Sequence, residues 1–419
     1  MGVMRRREFV GAGTLALAAA RVPAALSGAA APRIIIAGAG FAGSCCALEL
    51  RRLSPALRVM LFEPKSRYLT CPMSNEAIVG LRTLASLTVA RAQLKAAGVE
   101  YAQQAIAGID AAQRTAQLSS GDTVRYDRLV IAPGIRMLPG QPEGYDAAAA
   151  LRMPHAWEAG PLTDLLHRYL ASVPDGGIVA ISVPAGLMRC PPAPYERASL
   201  IAAYLRRRRR GCKVLIFDSN NHFPRQDVFT AAWQELYPGM IEWISPAEGG
   251  AVTRVDAASN TLYSESGAHP VALASVIAPQ APGILALTSG LCTGHGWCPV
   301  KPASFESQLL EHVHVIGDAC IAGAMPKSAS AARAQAQQCA AAIVASLAGR
   351  APPAPQLHSV CYSRVSDTAA LAIRGEFELA EGELRARGGA ESPGQGASAA
   401  LAREAEEWYR DMRRVCFAG

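Results

Sequence analysis

The stretch that decides the fold is Arg33-Ile34-Ile35-Ile36-Ala37-Gly38-Ala39-Gly40-Phe41-Ala42-Gly43 (33–43). Its apolar run predicts a short buried strand, and a GxGxxG turn follows at once. An Ala/Leu-rich segment to about Leu53 predicts a helix, and Arg58 to Phe62 predicts a second strand ending at Glu63. Each glycine has a physical use. Gly38 allows the tight turn, Gly40 lets the backbone approach a pyrophosphate, and Gly43 lets helix and strand pack closely. The helix N-terminus favours the negative charge. Glu63 lies 20 residues beyond Gly43, where a carboxylate takes ribose hydroxyls. The strand–turn–helix–strand–acid order predicts a dinucleotide site.

Two later segments select FAD for that site. Tyr126 to Gly134 (YDRLVIAPG) resembles the strand and turn that return to the dinucleotide in two-domain flavoproteins. His312 to Ala319 (HVHVIGDA) resembles their second FAD motif. There a strand ends in Gly317-Asp318, with the aspartate toward the ribityl or pyrophosphate region. A helix starting near Ser328 aims its positive end at the flavin. Gly176 to Ser182, a helix from about Pro194 to Arg209, and Lys213 to Asp218 form a second βαβ unit. Its turn, 184–192, holds one glycine, bulky residues, a proline pair and Cys190, so a pyrophosphate has no cradle and NAD(P)H is not the expected donor. The predicted fold is α/β, with two Rossmann-like dinucleotide-binding domains of glutathione reductase type. Residues 32–150 and 271–350 form a discontinuous FAD domain, 151–270 a second domain without an NAD site, and 351–419 a C-terminal region that covers the flavin. Pro352, Pro353 and Pro355 mark the linker, Gly388 to Gly396 a loop, and Ala399 to Val415 a charged helix.

At 419 residues the chain is long enough for two or three domains. Its net charge of +7 does not define a basic face, because Arg5, Arg6, Arg7 and Arg21 belong to the first 31 residues and Arg206 to Arg210 form one run. Nucleic acid is therefore not an expected partner. Residues 1–31 read as a twin-arginine export signal: Arg6-Arg7-Glu8-Phe9-Val10, an apolar run to Ala20, and small residues from Ser27 to Ala31. This predicts a periplasmic protein loaded with its cofactor before export, without membrane contact. Of 11 cysteines, none sits at zinc-ligand spacing, so no metal is expected, and no CxxCH is present for a haem. Cys45, Cys46, Cys212 and Cys339 read as small buried apolar residues.

Three cysteine segments stand apart: YLTCPMSNE (68–76), RCPPAPYER (189–197) and HSVCYS (358–363). With LRMPHAWEAG (151–160), GWCPV (296–300), HVIGDA (314–319) and MPKS (325–328), they resemble the flavoprotein subunit of flavocytochrome c sulfide dehydrogenase from about Pro32 onward. The resemblance implies that Cys71 is joined to the flavin 8α-methyl by a thioether, and that Cys190 and Cys361 form a redox disulfide with Glu196 near it. It implies sulfide oxidation: hydrosulfide attacks the disulfide, the freed thiolate passes electrons to FAD, and a separate c-type cytochrome accepts them. Lys301 departs from the family, which has an acidic residue after GWCPV, and a Cys292–Cys298 pair is an alternative disulfide. The competing readings are a sulfide:quinone oxidoreductase and a non-catalytic electron-transfer flavoprotein.

Overall fold

The computed structural model describes residues 31–294, 296–388 and 396–417. The twin-arginine segment lies outside them but for Ala31, as does most of the loop expected at 388–396. Strand β1 (Arg33–Ala37) leads through the glycine turn into α1 (Phe41–Leu53), then to β2 (Arg58–Phe62). A short helix, α2 (Ser74–Ile78), precedes β3 (Glu100–Ala102) and β4 (Arg128–Ile131). The second unit runs through β5 (Ile178–Val183), α3 (Ala193–Arg208), β6 (Lys213–Asp218), β7 (Ile241–Ile244) and β8 (Leu273–Val276). Strand β9 (Val313–Val315) and α4 (Ala329–Leu347) return to the first unit. The C-terminal part holds β10 (Gln356–Arg364), β11 (Ala370–Ala380), β12 (Glu383–Ala386) and α5 (Ala399–Cys416).

The first sheet has the order β9-β4-β1-β2-β3 and is parallel throughout. Its edge strand β9 comes after the whole second unit, so the first unit is interrupted by the second. Ile34, Ile35, Ile36, Leu129 and Val130 are fully buried, as expected of a parallel sheet covered on both faces. The second sheet, β7-β6-β5-β8, is also parallel. The C-terminal sheet is antiparallel, β10-β11-β12. Ser328 caps α4, its hydroxyl accepting from Ala331 N at 3.2 Å, and Ser398 caps α5 in the same way through Leu401 N at 3.2 Å.

In the second unit, the acid ending β6 is already satisfied. Asp218 is fully buried and accepts from the Tyr195 hydroxyl at 2.5 Å, Trp243 Nε1 at 2.9 Å and Asn220 N at 2.9 Å. Tyr195 stacks on Phe223 with centroids 3.7 Å apart. Aromatic side chains thus surround the carboxylate that in a nucleotide-binding unit faces a ribose.

The arginine run at 206–210 makes intramolecular contacts. Arg207 pairs with Asp367 at 2.8 Å, Arg206 and Arg208 lie over Tyr237 and Tyr204, and Arg209 Nη2 donates to Ala171 O at 2.8 Å. One cysteine expectation is corrected. Cys45 is buried but is not a free apolar residue: it forms a disulfide with Cys416, linking α1 to the last turn of α5 across 371 residues. Cys46, Cys212 and Cys339 are buried free thiols. A bridge closing so long a loop restricts the unfolded chain, an effect of about 2–4 kcal/mol. Cys416→Ser is therefore expected to lower the unfolding free energy by about 2–4 kcal/mol. Reductant should destabilise the parent protein more than the variant, the difference reporting the Cys45–Cys416 bridge, as read from denaturation midpoints.

Candidate active site

The C-terminal ends of β1, β2 and β4 open onto a cavity of about 560 Å³. Its nucleotide end is built as the glycine pattern requires. Gly38 has φ +100°, and a Cβ there would lie 2.3 Å from Ala132 O. A Cβ on Gly43 would lie 1.8 Å from Gly38 O, so only glycine lets α1 start this close to β1. Gly40, Phe41 and Ala42 line the cavity, presenting the α1 N-terminus. Glu63 also lines it, its carboxylate fixed by Ala39 N at 3.0 Å and Lys65 N at 2.9 Å.

The other dinucleotide residues converge on the same space. Gly134, Gly317 and Asp318 are in the wall. Gly317 takes φ +77° and donates its N–H to Gln335 Oε1 in α4 at 2.8 Å. Burial raises the Asp318 carboxyl above its ordinary value, and the charges of Arg189 and Lys327 oppose the shift. Ser328, Ala329 and Ser330 line the cavity, placing the α4 N-terminus and its positive dipole end there.

All three singled-out cysteines reach this cavity from distant segments. Cys71, Cys190 and Cys361 line it, as does Glu196. Cys71 sits in the turn before α2, with Sγ 3.9 Å from Trp157 O. Cys190 precedes α3 in a left-handed conformation, φ 53°, held by its N–H to Lys327 O at 2.8 Å. Cys361 lies in β10. Met73 (φ 66°) and Ala156 (φ 44°) border the same space in the same strained region, the usual setting of such residues being functional. The expected Cys190–Cys361 disulfide is not present: neither cysteine is bonded to another. Cys292 and Cys298 approach to 3.4 Å without a bond. Lys301, where an acid was expected, pairs with Glu306 at 2.8 Å.

Electrostatics favour neutral forms here. Burial pushes the Cys190 thiol well above its ordinary value, reinforced by Cys361 and Glu196. Burial pushes Cys361 up to about 11, with the Ser328 hydroxyl opposing. Burial pushes Glu196 up to about 7, opposed by hydrogen bonds from Arg364 N and Asn75. Glu196 thus titrates near neutrality, where a general acid–base is most effective.

Several residues of the site had no role assigned from sequence. Arg189, beside Cys190, lines the cavity and donates to Trp157 O. Trp157 Nε1 is buried without a partner among the described residues, a donor left for a bound group. Asn75 hydrogen-bonds Glu196 at 2.8 Å. Trp408 of α5 closes one side of the cavity, and the neighbouring Tyr409 is hydrogen-bonded to Thr70. Arg189, Trp157 and Asn75 lie within the quoted motifs, but only the fold shows what they face.

Two dinucleotide-type parallel units, a glycine-lined cavity reached by two helix N-termini, and an unpartnered indole donor fit a dinucleotide flavin. They define a two-unit flavin-dependent oxidoreductase. Residues 32–156 match the family model described as pyridine nucleotide-disulphide oxidoreductase. Residues 163–278 match "sulfide dehydrogenase [flavocytochrome c] flavoprotein chain, central", and 353–417 match "flavocytochrome c sulphide dehydrogenase, flavin-binding". The chain is 46% identical over 43 residues to the sulfide dehydrogenase [flavocytochrome c] flavoprotein chain of Chlorobaculum thiosulfatiphilum, covering 10% of this chain and 90% of that sequence. The chain belongs to this flavocytochrome c sulfide dehydrogenase flavoprotein family and binds FAD. It is also 26% identical over 181 residues to the sulfide-quinone reductase of Aquifex aeolicus, 42% of this chain and 40% of that one. Among solved structures, the sulfide:quinone oxidoreductase of Aquifex aeolicus superposes with TM-score 0.72 at 17% identity, covering 93% of each chain. Putidaredoxin reductase, solved in covalent complex with putidaredoxin, gives TM-score 0.61 at 18% identity over 93% of this chain and 94% of that one. These likenesses carry the fold.

Gly43→Ala should abolish FAD retention, because no side chain moves to relieve a 1.8 Å contact between backbone oxygen and Cβ. The flavin-to-protein absorbance ratio of the purified variant measures this, and a ratio equal to the parent's would refute the assignment of the glycine turn.

Proposed function

We propose that this chain oxidises sulfide to sulfane sulfur or polysulfide through the Cys190/Cys361 pair and covalently bound FAD, and delivers the electrons to a c-type cytochrome outside the cytoplasm. The observation that carries this reading is the convergence of Cys71, Cys190, Cys361 and Glu196 on one cavity with the dinucleotide residues. The family membership and the name of the Chlorobaculum relative support the substrate and the haem partner.

Gly38, Gly40, Gly43, Glu63, Gly134, Gly317 and Asp318 hold the dinucleotide, and Cys71 supplies the thioether to the 8α position. FAD, when bound, accepts an electron pair and releases electrons one at a time. The sulfur chemistry balances with the bound flavin as its two-electron acceptor. Hydrosulfide attacks the Cys190–Cys361 disulfide, forming a persulfide on one cysteine and a thiolate on the other. A second hydrosulfide takes the outer sulfur as hydrodisulfide, leaving one thiol and one thiolate. Their reoxidation to the disulfide releases one proton and two electrons. Glu196 accepts the proton, its carboxylate being available at and above neutrality. Arg189 places a cation beside Cys190 and so attracts the anionic substrate.

Two observations bear on compartment and acceptor. The Cys45–Cys416 disulfide suits an oxidising compartment, as does the twin-arginine pattern in the sequence. The apolar face of α5 is used internally: Leu401, Ala405, Tyr409 and Met412 are buried. That favours a soluble cytochrome acceptor over a membrane quinone.

Anaerobic addition of sulfide to flavin-loaded protein should bleach the flavin absorbance. Cys190→Ser and Cys361→Ser should each remove this reduction while retaining flavin. An unchanged parental spectrum would defeat the reading. Cys71→Ala should leave flavin extractable by acid where the parent retains it, and flavin that stayed bound after acid precipitation of the variant would exclude Cys71 as the tether.

A further inference from the structure

Glu196 is half-buried at the start of α3, and both of its carboxylate oxygens have a fixed partner. Arg364 N donates to Oε1 at 2.9 Å, and Asn75 Nδ2 donates to Oε2 at 2.8 Å. The first donor is backbone in β10. The second is a side chain from α2, the helix that follows Cys71.

The Asn75 amide cannot offer its other face. Nδ2 also donates to Ala193 O at 3.0 Å, and Oδ1 accepts from Arg197 Nε at 3.1 Å. Arg197 is itself immobilised, being 1% exposed, with Nη1 on His155 O at 2.6 Å and Ser275 Oγ at 2.7 Å and Nη2 on Ala156 O at 2.9 Å. Turning the amide over would set its oxygen against two acceptors and its NH₂ against a guanidinium N–H. All three contacts would become unfavourable. At 5% exposure, no water replaces them from bulk. Asn75 is thus locked as a donor toward Glu196, and a donor to a carboxylate stabilises its charged form.

We propose that Asn75 is a positioning residue for the reaction: it fixes the Glu196 carboxylate in one orientation toward the two thiols and sets its protonation, coupling the flavin-tethering segment to the proton acceptor. The proposal rests on the sulfide-oxidising reading given above. The charged and titratable groups around Glu196 come from every neighbouring element. Glu76 of α2 raises its titration point and Arg364 of β10 lowers it. Arg197 lies next to it on α3, and Cys190 and Cys361 feel its charge. Asn75 is the neutral member of this set. Removing its donor leaves the surrounding charges in place, so the change reports the hydrogen bond.

The test is a direct titration of the Glu196 carboxyl in the flavin-loaded protein, by the carboxylic-acid carbonyl band in infrared difference spectra on either side of neutrality, with Glu196→Gln identifying the band. Asn75→Ala should move the titration upward by about one pH unit. Asn75→Asp, which keeps the size and can still accept from Arg197, should move it further, because a second carboxylate then faces the first. The parental titration point in these variants would overturn the proposal. If the alanine variant fails to fold with flavin, the near-isosteric, uncharged Asn75→Leu, which also lacks the donor, decides by the same upward shift. A separate measurement tests the underlying function. At constant hydrosulfide concentration, the pH dependence of flavin bleaching should lose its Glu196 limb in Glu196→Gln and shift with the carboxyl titration in the Asn75 variants. A limb unchanged in Glu196→Gln would remove Glu196 from the proposed reaction whether or not Asn75 moves its titration.

Discussion

The site depends on one buried ion pair, Glu76 with Arg364. Glu76 is 3% exposed and comes from the helix after Cys71; Arg364 ends the strand that carries Cys361. The pair is extended by Glu406 of α5, 2.9 Å from Arg364 and 2.6 Å from Arg82, and Arg82 returns to Glu76 at 3.0 Å. Four charges thus join the segment holding Glu76 and Arg82 to Arg364, 288 residues beyond Glu76, and to Glu406, 42 residues further on. Buried charges tolerate no loss of a partner, since an uncompensated one costs about 3–5 kcal/mol. The network therefore holds β10 and α5 against the segment that follows Cys71. That placement sets Cys361 and Trp408 at the cavity, and turns Arg364 N toward Glu196.

The second unit illustrates how a dinucleotide scaffold is converted. Its strand–helix–strand frame is retained, but Asp218 is consumed by Tyr195, Trp243 and Asn220. The turn after β5 carries Cys190 where a glycine-rich loop would bind phosphate. The left-handed backbone of Cys190, φ 53°, is a conformation a glycine turn adopts without strain. Here it is held by Lys327 O and by Ala193 N, which donates to Cys190 O at 2.9 Å. A position suited to a phosphate-facing glycine has become one that directs a thiol into the neighbouring unit's cavity.

Much of this was legible in the sequence, for local reasons. The Ile-rich β1 run, the glycine spacing and Glu63 specify the first unit within 31 residues of chain (33–63). The discontinuity of that unit could be read because the Gly317-Asp318 turn repeats a recognisable strand-end pattern. Cys71, Cys190 and Cys361 stood out because each sits among prolines, aromatics or charges that a merely buried thiol does not need. What was not legible depends on contacts between distant segments. Cys45 lies in a helix with an apolar neighbour pattern, and nothing near it points to Cys416 371 residues away. Asn75 and Arg364 carry no local signal of their partners, since each acquires its role only when α2, α3 and β10 meet. Whether Cys190 and Cys361 are bonded is likewise not encoded, because thiol and disulfide share one sequence.

The proton inventory of the cavity constrains how the sulfur pair can work. Glu196 titrates at about 7 and Cys361 at about 11, both moved upward by burial. A protonated Glu196 is therefore a stronger acid than the Cys361 thiol. In the reaction proposed above, its carboxylate is a poor base toward a resting thiol. If the proposed redox pair operates, proton removal during its reoxidation accompanies electron departure, when sulfur loses its charge and its basicity together. Under that proposal, one carboxylate that titrates near neutrality would couple the two movements, and the α4 N-terminus with Arg189 would offset negative charge on a bound flavin.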